Sequence, residues 1–195
     1  GALLILDEIP IGLGRTGRMF AFENFGIEPD MVVIGKGLGG AVFPMAALIA
    51  RDDFDLSPET SLGHYTHEKS PLGCTAALAV LEYMEENRLL EHARAMGSYF
   101  MTKLFSLKEK YSAVIGDVRG FGLMFAVELV KDTVTKEKAE DLAERVMYIG
   151  LEKGISFKVS QGNILTLAPP LITSKGELDQ AAAILDESIG EGLKG

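Results

Sequence analysis

"LLILDEIPIGLGRTG" is the sequence of residues 3–17, a short apolar run followed by two acids and the spacing Gly-x-Gly-x-x-Gly. A second apolar run, Met31 to Ile34, also lacks the polar alternation of a half-exposed strand. Such runs are typical of strands that are covered on both faces in a parallel sheet. Ala46 to Ala50 has the same character, and Arg18 to Gly26 reads as a short helix ended by glycine. The strand-helix-strand rhythm predicts an α/β layer structure.

The composition favours a folded protein whose partners are small molecules. At 195 residues and 47% hydrophobic content, the chain can bury a substantial core. A net charge of −9 provides no basic face for nucleic acid or for an anionic membrane surface. Cys74 is the single cysteine, and no apolar stretch approaches the roughly 20 residues of a membrane span. We therefore predict a cytoplasmic protein that binds neither nucleic acid nor membrane.

The pattern changes to a helical period at Ser70. Ser70 suits the N-cap and Pro71 the first helical position of a helix that continues to about Asn87. Its expected apolar positions are Leu72, Ala76, Ala79, Val80 and Met84. Further elements are predicted at Leu89 to Lys110 (helix), Gly122 to Val130 (strand), Lys136 to Lys153 (helix), Ile155 to Val159 and Ile164 to Leu167 (strands), with a last helix opened by the capping box Ser174-x-x-Glu177.

The glycine spacing does not favour a dinucleotide site. A dinucleotide fingerprint places its first glycine at the end of the strand, so that the next helix points its N-terminus at the pyrophosphate. Here five residues, Asp7 to Ile11, intervene, and the two carboxylates would repel phosphate. Asp7 instead becomes a candidate, because ligands bind at the carboxyl ends of strands in open α/β sheets. Its carboxylate is either hydrogen-bonded to loop amides or faces a cationic ligand group.

A lysine occupies the corresponding place after the second strand, in "MVVIGKGLGG" (residues 31–40). A lysine on a loop is commonly a solvated surface charge. The surrounding glycines, however, allow close approach of a ligand and predict a tight, partly dry place for the Lys36 amine. Dehydration disfavours the ammonium form, so Lys36 could attack an aldehyde and form a Schiff base. With Asp7 at the same sheet edge, the pair meets the two needs of pyridoxal phosphate: a lysine for its carbonyl and an acid for its ring nitrogen.

Four blocks, in this order, resemble the class III (subgroup II) aminotransferases, which are fold type I pyridoxal-phosphate enzymes: "DEIPIGLGRTGRMFAFENFGIEPDMVVIGKGLGG", "HYTHEKSPLGCTAALAVLE", "VRGFGLMFAVEL" and "LTLAPPLI". The resemblance implies an α/β fold and a chain corresponding to the C-terminal half of a full member. Residues 1–98 would be the second half of the large cofactor-binding domain, a mostly parallel sheet with helices, including the long interdomain helix. Residues 99–195 would be the smaller α+β C-terminal domain.

The same resemblance implies roles for four residues. Asp7 would hold the pyridine nitrogen, and Lys36 would carry the cofactor's Schiff base and shuttle protons. Ile9 would pack against the ring face. Thr66 would reach the cofactor phosphate of the neighbouring subunit, because the family forms homodimers with shared active sites.

Two departures from the family pattern bear on chemistry. Most members have glutamine at the position of Pro10, where the amide reaches the cofactor's phenolic oxygen; proline offers no donor. Many members carry, three residues before the Pro-Pro pair, an arginine that clamps the substrate α-carboxylate, and here that position is Thr166. A threonine cannot replace a guanidinium fork. Substrates with a remote acidic group, or with a phosphonate or phosphate, therefore gain support.

Other polar residues have weaker interpretations. The loop "GHYTHEKS" differs from the family's usual small residues, and its charges are either solvated or line the substrate pocket. His64 and His67 lack further well-spaced partners, so no metal site is expected. Lys158 could offer a cation to an anionic substrate, whereas Arg119 is expected to support the turn before a strand.

Three functional hypotheses follow. The first is an aminotransferase that moves an amino group from an amine or amino acid to an oxo acid. The second keeps the cofactor but eliminates a leaving group, as an ammonia-lyase or phospho-lyase acting on an aminoethyl phosphonate or phosphate. The third is a truncated piece that folds without activity.

Overall fold

The computed structural model describes residues 1–54, 59–60, 65–66 and 68–194. The chain divides into two compact units, Gly1–Leu90 and Glu91–Gly195. Each unit combines a sheet with helices, which confirms the predicted α/β class. The assignment of residues 1–98 and 99–195 to the two family domains stays a prediction. Within the described part of the chain, no helix has both the length and the apolar character needed to cross a membrane.

The first unit contains a three-stranded sheet in the order β1-β2-β3: β1 Ile5–Asp7, β2 Met31–Ile34 and β3 Ala47–Ala50. β1 and β2 are parallel, as predicted, but β3 is antiparallel to β2. A parallel neighbour requires a crossover connection, usually an α-helix. The segment between β2 and β3 contains only a 3₁₀ turn, Lys36–Gly39, so the chain returns in the opposite direction.

The expectation that these strands are covered on both faces is wrong within this chain. Leu3 is 55% exposed, Ile5 55% and Leu48 59%. Val32 and Ile34 of the central strand are buried, and they alternate with half-buried residues, so one face of that strand is covered. The apolar runs therefore predicted strand formation correctly but not the covering of the outer strands.

Helical segments of the first unit begin and end near the predicted residues. The predicted short helix is a 3₁₀ helix, Ala21–Phe25, ended by Gly26 at φ 63°. A further 3₁₀ turn covers Asp52–Phe54. Helix α1 spans Pro71–Glu86, and the Ser70 side chain accepts a hydrogen bond from the Gly73 N–H, which confirms the predicted cap.

The apolar positions of the helical period in α1 are not all buried. Gly73, Ala77 and Met84 are buried, whereas Leu72 is 72% exposed. A Cβ added at Gly73 would lie 3.1 Å from the Phe43 ring, so the helix approaches the segment before β3 on its small residues. Close packing on small side chains, rather than the largest apolar ones, decides which face is inside.

The second unit contains a four-stranded antiparallel sheet in the order β4-β5-β7-β6 and three helices. The elements are α2 Leu89–Lys110, β4 Ile115–Phe121, β5 Met124–Leu129, α3 Glu140–Glu152, β6 Lys158–Ser160, β7 Ile164–Leu167 and α4 Lys175–Gly192. α2 and β7 have their predicted bounds, and the capping box at Ser174 and Glu177 is confirmed. β4 was missed, because Gly116, Asp117, Arg119 and Gly120 interrupt its apolar pattern.

One face of this sheet forms the core of the second unit. Phe125, Val127 and Leu165 are each at most 3% exposed. Phe125 meets Phe100 of α2 edge to face, with ring centroids 5.1 Å apart. Because strand residues alternate between faces, the intervening residues of β5 and β7, such as Ala126 and Thr166, project from the opposite face.

Gly97 of α2 lies directly against the turn between β4 and β5. A Cβ at Gly97 would be 2.2 Å from the Gly122 carbonyl oxygen, and backbone at that distance cannot yield without moving the turn. We expect Gly97→Ala to lower the free energy of unfolding by about 3 kcal/mol, measured by urea denaturation. Gly176→Ala in α4 is the matched control, because the nearest atom to its Cβ is 4.0 Å away. Equal urea midpoints for Gly97→Ala and the unaltered protein would contradict this close contact.

Candidate active site

The two consecutive acids at the end of β1 have different environments. Glu8 is only 3% exposed, and its carboxylate oxygens accept hydrogen bonds from the backbone N–H groups of Ala21 (2.9 Å) and Phe22 (3.0 Å). The Glu8 N–H donates to the Val33 carbonyl at 2.9 Å. Glu8 thus joins the end of β1 to the first turn of the 3₁₀ helix Ala21–Phe25. Both of its carboxylate oxygens are engaged by backbone amides of that helix, a role that the sequence analysis did not assign to Glu8.

Asp7 remains available to a ligand. It is the last residue of β1, pairs with Val33 of β2 and is exposed. One oxygen, Oδ1, accepts the Ile9 N–H at 3.0 Å. No ion pair to Asp7 is formed by any residue that the structure describes. The carboxylate therefore keeps its second oxygen and its charge for a cationic partner.

Lys36 begins the 3₁₀ turn that follows β2. Because β1 and β2 are parallel and Asp7 is opposite Val33, Asp7 and Lys36 leave the sheet at the same edge, from strands about 4.8 Å apart. The Lys36 backbone has φ 45°, in the left-handed region that non-glycine residues seldom adopt. The predicted dry environment is wrong for this chain, since Lys36 is exposed. Its amine makes no ion pair within the described ranges.

Ile9 contacts the segment that leads into Lys36. It is half-buried, and a Cβ added at Gly35 would meet its Cγ2 at 3.5 Å. The side chain therefore packs over the backbone that precedes the lysine. Ile9 supplies an apolar surface beside both Asp7, to which its own N–H donates, and Lys36.

The glycine loop after β1 is built from turns. The Gly12 N–H donates to the Glu8 carbonyl at 2.8 Å, and the Gly17 N–H donates to the Gly14 carbonyl at 2.9 Å. The next regular element is the five-residue 3₁₀ helix, not an α-helix that opens at the loop. This arrangement lacks the strand-loop-helix geometry of a dinucleotide site.

Thr66 lies in a turn and is exposed. Its predicted role toward a neighbouring subunit stays a prediction. The predictions on His64 and His67 lie outside the described residues. Glu68 and Lys69 of the same loop form an ion pair at 3.8 Å.

Two polar residues of the second unit are direct neighbours. Thr166 of β7 is opposite Lys158 of β6, and the Thr166 hydroxyl oxygen lies 2.8 Å from the Ser160 hydroxyl oxygen. The expectation that Arg119 supports a turn is wrong, because Arg119 lies within β4. Its guanidinium donates to Asp117 and Glu128 across the sheet surface, at 2.9 and 3.1 Å.

The sequence is similar to a known protein family and to individual members of related function. The family model described as aminotransferase class-III matches residues 1–189. The (R)-1-hydroxy-2-aminoethylphosphonate ammonia-lyase of Vibrio splendidus is 50% identical over 192 residues, which are 98% of this chain and 40% of that relative. The leucine/methionine racemase of Thermococcus litoralis is 44% identical over 192 residues, which are 98% of this chain and 43% of that relative.

A solved structure has the same fold. The (S)-enantioselective omega-transaminase from Thermomicrobium roseum matches with a TM-score of 0.90 and 31% identity, over 99% of this chain and 44% of that chain. The chain spans less than half the length of each of these three proteins. Their names describe three different reactions.

Proposed function

The chain belongs to the class III aminotransferase family, and from this premise we propose that it carries out the chemistry of a pyridoxal-phosphate-dependent aminotransferase. The reaction would move an amino group from an amine or amino-acid donor to an oxo acid. One observation carries the proposal: Asp7 and Lys36 leave the same edge of two adjacent parallel strands, while Glu8 is engaged by backbone amides. The activity proposed is that of the whole protein to which these residues belong.

The side chains at this edge of the sheet offer the groups that pyridoxal phosphate requires. Asp7 offers an exposed carboxylate oxygen, Lys36 an exposed primary amine, and Ile9 an apolar surface near both. A carboxylate favours the protonated form of a ring nitrogen beside it. Pro10 provides no hydrogen-bond donor, so a bond to the phenolic oxygen must come from another residue.

Pyridoxal phosphate, when bound, accepts the electron pair released at the substrate carbon. The chain's own residues would prepare and complete that step. Asp7 would hold a proton on the ring nitrogen through its negative charge. Lys36 would bind the aldehyde carbon until the substrate amine displaces it, and its Nζ would then take a proton from the substrate carbon. Ile9 would orient the ring by contact with one face.

A second candidate is an ammonia-lyase or phospho-lyase that acts on an aminoethyl phosphonate or phosphate. Two observations favour it: Thr166 stands where many family members carry a carboxylate-binding arginine, and the Vibrio splendidus relative is named an ammonia-lyase. The same residues, Asp7 and Lys36, would serve both outcomes. The difference lies in whether the substrate carries a leaving group next to the aminated carbon.

Dependence on an oxo-acid acceptor separates the two functions. For an aminotransferase we expect that the protein loaded with pyridoxal phosphate converts an amine only when an oxo acid is present, with parallel double-reciprocal lines that indicate ping-pong kinetics. The measurement is product formation with and without 2-oxo acid. Release of ammonia or phosphate from 2-aminoethyl phosphate without any acceptor would establish the lyase instead. Intersecting lines would contradict a shuttle through one cofactor.

The protein's assembly and location follow as further parts of this proposal. We propose a homodimer with shared active sites, supported by the resemblance around Thr66. We also propose a cytoplasmic location, supported by the single cysteine and by the small-molecule chemistry.

A further inference from the structure

A cluster of polar groups joins the three strands of the first sheet at the edge opposite Asp7 and Lys36. Leu4 immediately precedes β1, Asp30 precedes β2, and Arg51 follows β3. Because β1 and β2 are parallel and β3 is antiparallel to them, these three residues meet at one edge of the sheet. The proposed function gives none of them a role.

The Asp30 side chain binds the ends of both neighbouring strands. Its Oδ2 accepts a hydrogen bond from the Leu4 N–H at 2.7 Å, and its Oδ1 accepts one from the Arg51 guanidinium at 2.7 Å. The backbone adds to the first connection, since the Asp30 N–H donates to the Leu4 carbonyl at 2.9 Å. One carboxylate at the start of the central strand therefore connects all three strands.

Arg51 has a second acidic partner, which allows a comparison within the same cluster. Its Nε and Nη2 donate to the two carboxylate oxygens of Asp53, in the turn that follows β3. The Asp53 side chain is 60% exposed, whereas that of Asp30 is only 18% exposed. Water and salt screen the pair with Asp53 more strongly, so we expect the bond to Asp30 to contribute more to the sheet.

The register of β1 decides where the Asp7 carboxylate lies. β1 has three residues, so Leu4 and Asp7 are only about 10 Å apart along the strand. A slip of one residue against β2 would move Asp7 by about 3.3 Å and turn its side chain to the other face of the sheet. Packing within this chain specifies the register weakly, because Ile5 is 55% exposed and Leu6 is only half-buried. Hydrogen bonds at the strand end therefore carry much of that specification.

We propose that Asp30 is a positioning residue, which fixes the register of the three strands through the Leu4 N–H and Arg51. It would thereby hold the Asp7 carboxylate where it can bind the same ligand as Lys36. The inference rests on the proposed function for the roles of Asp7 and Lys36, whereas the register is a property of the protein without cofactor. Asp30 would act through β1 and contact neither cofactor nor substrate.

Amide hydrogen exchange, measured for each residue by NMR on the protein without cofactor, tests the register. The N–H groups of Glu8 and Ile9 are hydrogen-bonded at the far end of β1, so their exchange rates report whether that end stays in place. We expect Asp30→Ala to speed both rates by about tenfold or more, because a charged hydrogen-bond acceptor is lost. Asp53→Asn is the matched control and should change them by less than about twofold, since its pair with Arg51 is exposed.

Two variants of Arg51 keep the test decisive if Asp30→Ala does not fold. Arg51→Ala leaves the bond between Asp30 and the Leu4 N–H in place, and it should speed exchange at Glu8 by about fivefold, less than Asp30→Ala does. Arg51→Lys retains a cation beside Asp30 and should restore most of the lost protection.

The visible absorbance of the protein loaded with pyridoxal phosphate gives a separate measurement of the position of Asp7. The Asp7 charge favours the protonated ring nitrogen only while it lies beside it. We therefore expect the pH at which the absorbance changes to shift in Asp30→Ala and to stay the same in Asp53→Asn. An unshifted pH in Asp30→Ala would contradict the link from Asp30 to Asp7.

Two exchange results would overturn the role of Asp30. Unchanged rates at Glu8 and Ile9 in both Asp30→Ala and Arg51→Ala would mean that the strand ladder alone sets the register. Equal acceleration at Met84, a buried residue of α1, would mean that the whole unit has lost stability rather than that β1 has moved. If the unaltered protein does not bind pyridoxal phosphate, the proposed function fails, but the exchange rates still decide whether Asp30 fixes the register.

Discussion

Lys36→Ala is expected to abolish covalent attachment of pyridoxal phosphate and to lower the rate of amino transfer by about 10⁴-fold, at the upper end of what a proton-transfer residue contributes. The reason is that one side chain has two duties: it binds the aldehyde carbon and moves the proton. The measurement combines the visible absorbance of the loaded protein, its loss on treatment with borohydride, and the mass of the labelled peptide. In the unaltered protein the label should map to the peptide that contains Lys36.

Lys194→Ala serves as the control for this experiment, because it removes an exposed lysine outside the proposed site. It should keep both the absorbance band and the rate. A borohydride-sensitive band that persists in Lys36→Ala would show that another amine holds the cofactor. An unaltered protein that stays colourless after reconstitution would instead support the hypothesis of an inactive piece.

Local patterns predicted the elements whose signals lie within a few residues. The bounds of α2 and β7 follow from periodicity and apolar runs, and the cap at Ser174 follows from a hydroxyl placed three residues before Glu177. The α1 cap at Ser70 is of the same kind. Each of the two caps depends on groups that lie within three residues of one another.

Features that depend on pairing between distant segments were not predictable in this way. The antiparallel direction of β3 is a property of its register with β2, which the composition of Ala47–Ala50 does not encode. β4 is a strand despite Gly116 and Asp117 because β5 supplies its hydrogen bonds. In both cases a neighbouring strand satisfies the backbone, and the side chains adapt to it.

The candidate site shows the same contrast between features that local sequence patterns predict and features that depend on distant segments. The spacing of Asp7 and Lys36 was visible in the sequence, and parallel pairing of β1 with β2 brings them to one edge. The different environments of the Asp7 and Glu8 carboxylates could not be predicted from the sequence, since both residues are acids that follow the same apolar run. The difference arises from backbone N–H groups at Ala21 and Phe22, which reach Glu8 only when the intervening loop folds back.

Conversion of each of the two neighbouring acids to its amide should therefore affect different properties of the protein: cofactor binding and rate for Asp7, and stability for Glu8. We expect Asp7→Asn to change the free energy of unfolding by less than about 0.5 kcal/mol, because the side chain is exposed and asparagine can still accept the Ile9 N–H. Its loss of charge should nevertheless weaken pyridoxal-phosphate binding and lower the rate by about 10²-fold or more.

Glu8→Gln should instead lower the free energy of unfolding by about 2 kcal/mol. The carboxylate of Glu8 now accepts hydrogen bonds from two backbone N–H groups, one at each oxygen. In glutamine one of these oxygens becomes an –NH₂ group, which would place a donor against a donor in a buried position. Urea denaturation measures stability, and fluorescence titration with pyridoxal phosphate measures cofactor affinity. Equal stability losses in both variants would show that Asp7 also holds the fold. If Glu8 is engaged only by the backbone, its substitution can weaken cofactor binding only by destabilising the fold. A Glu8→Gln protein that is stable but has lost affinity for pyridoxal phosphate would therefore move the ring-nitrogen role from Asp7 to Glu8.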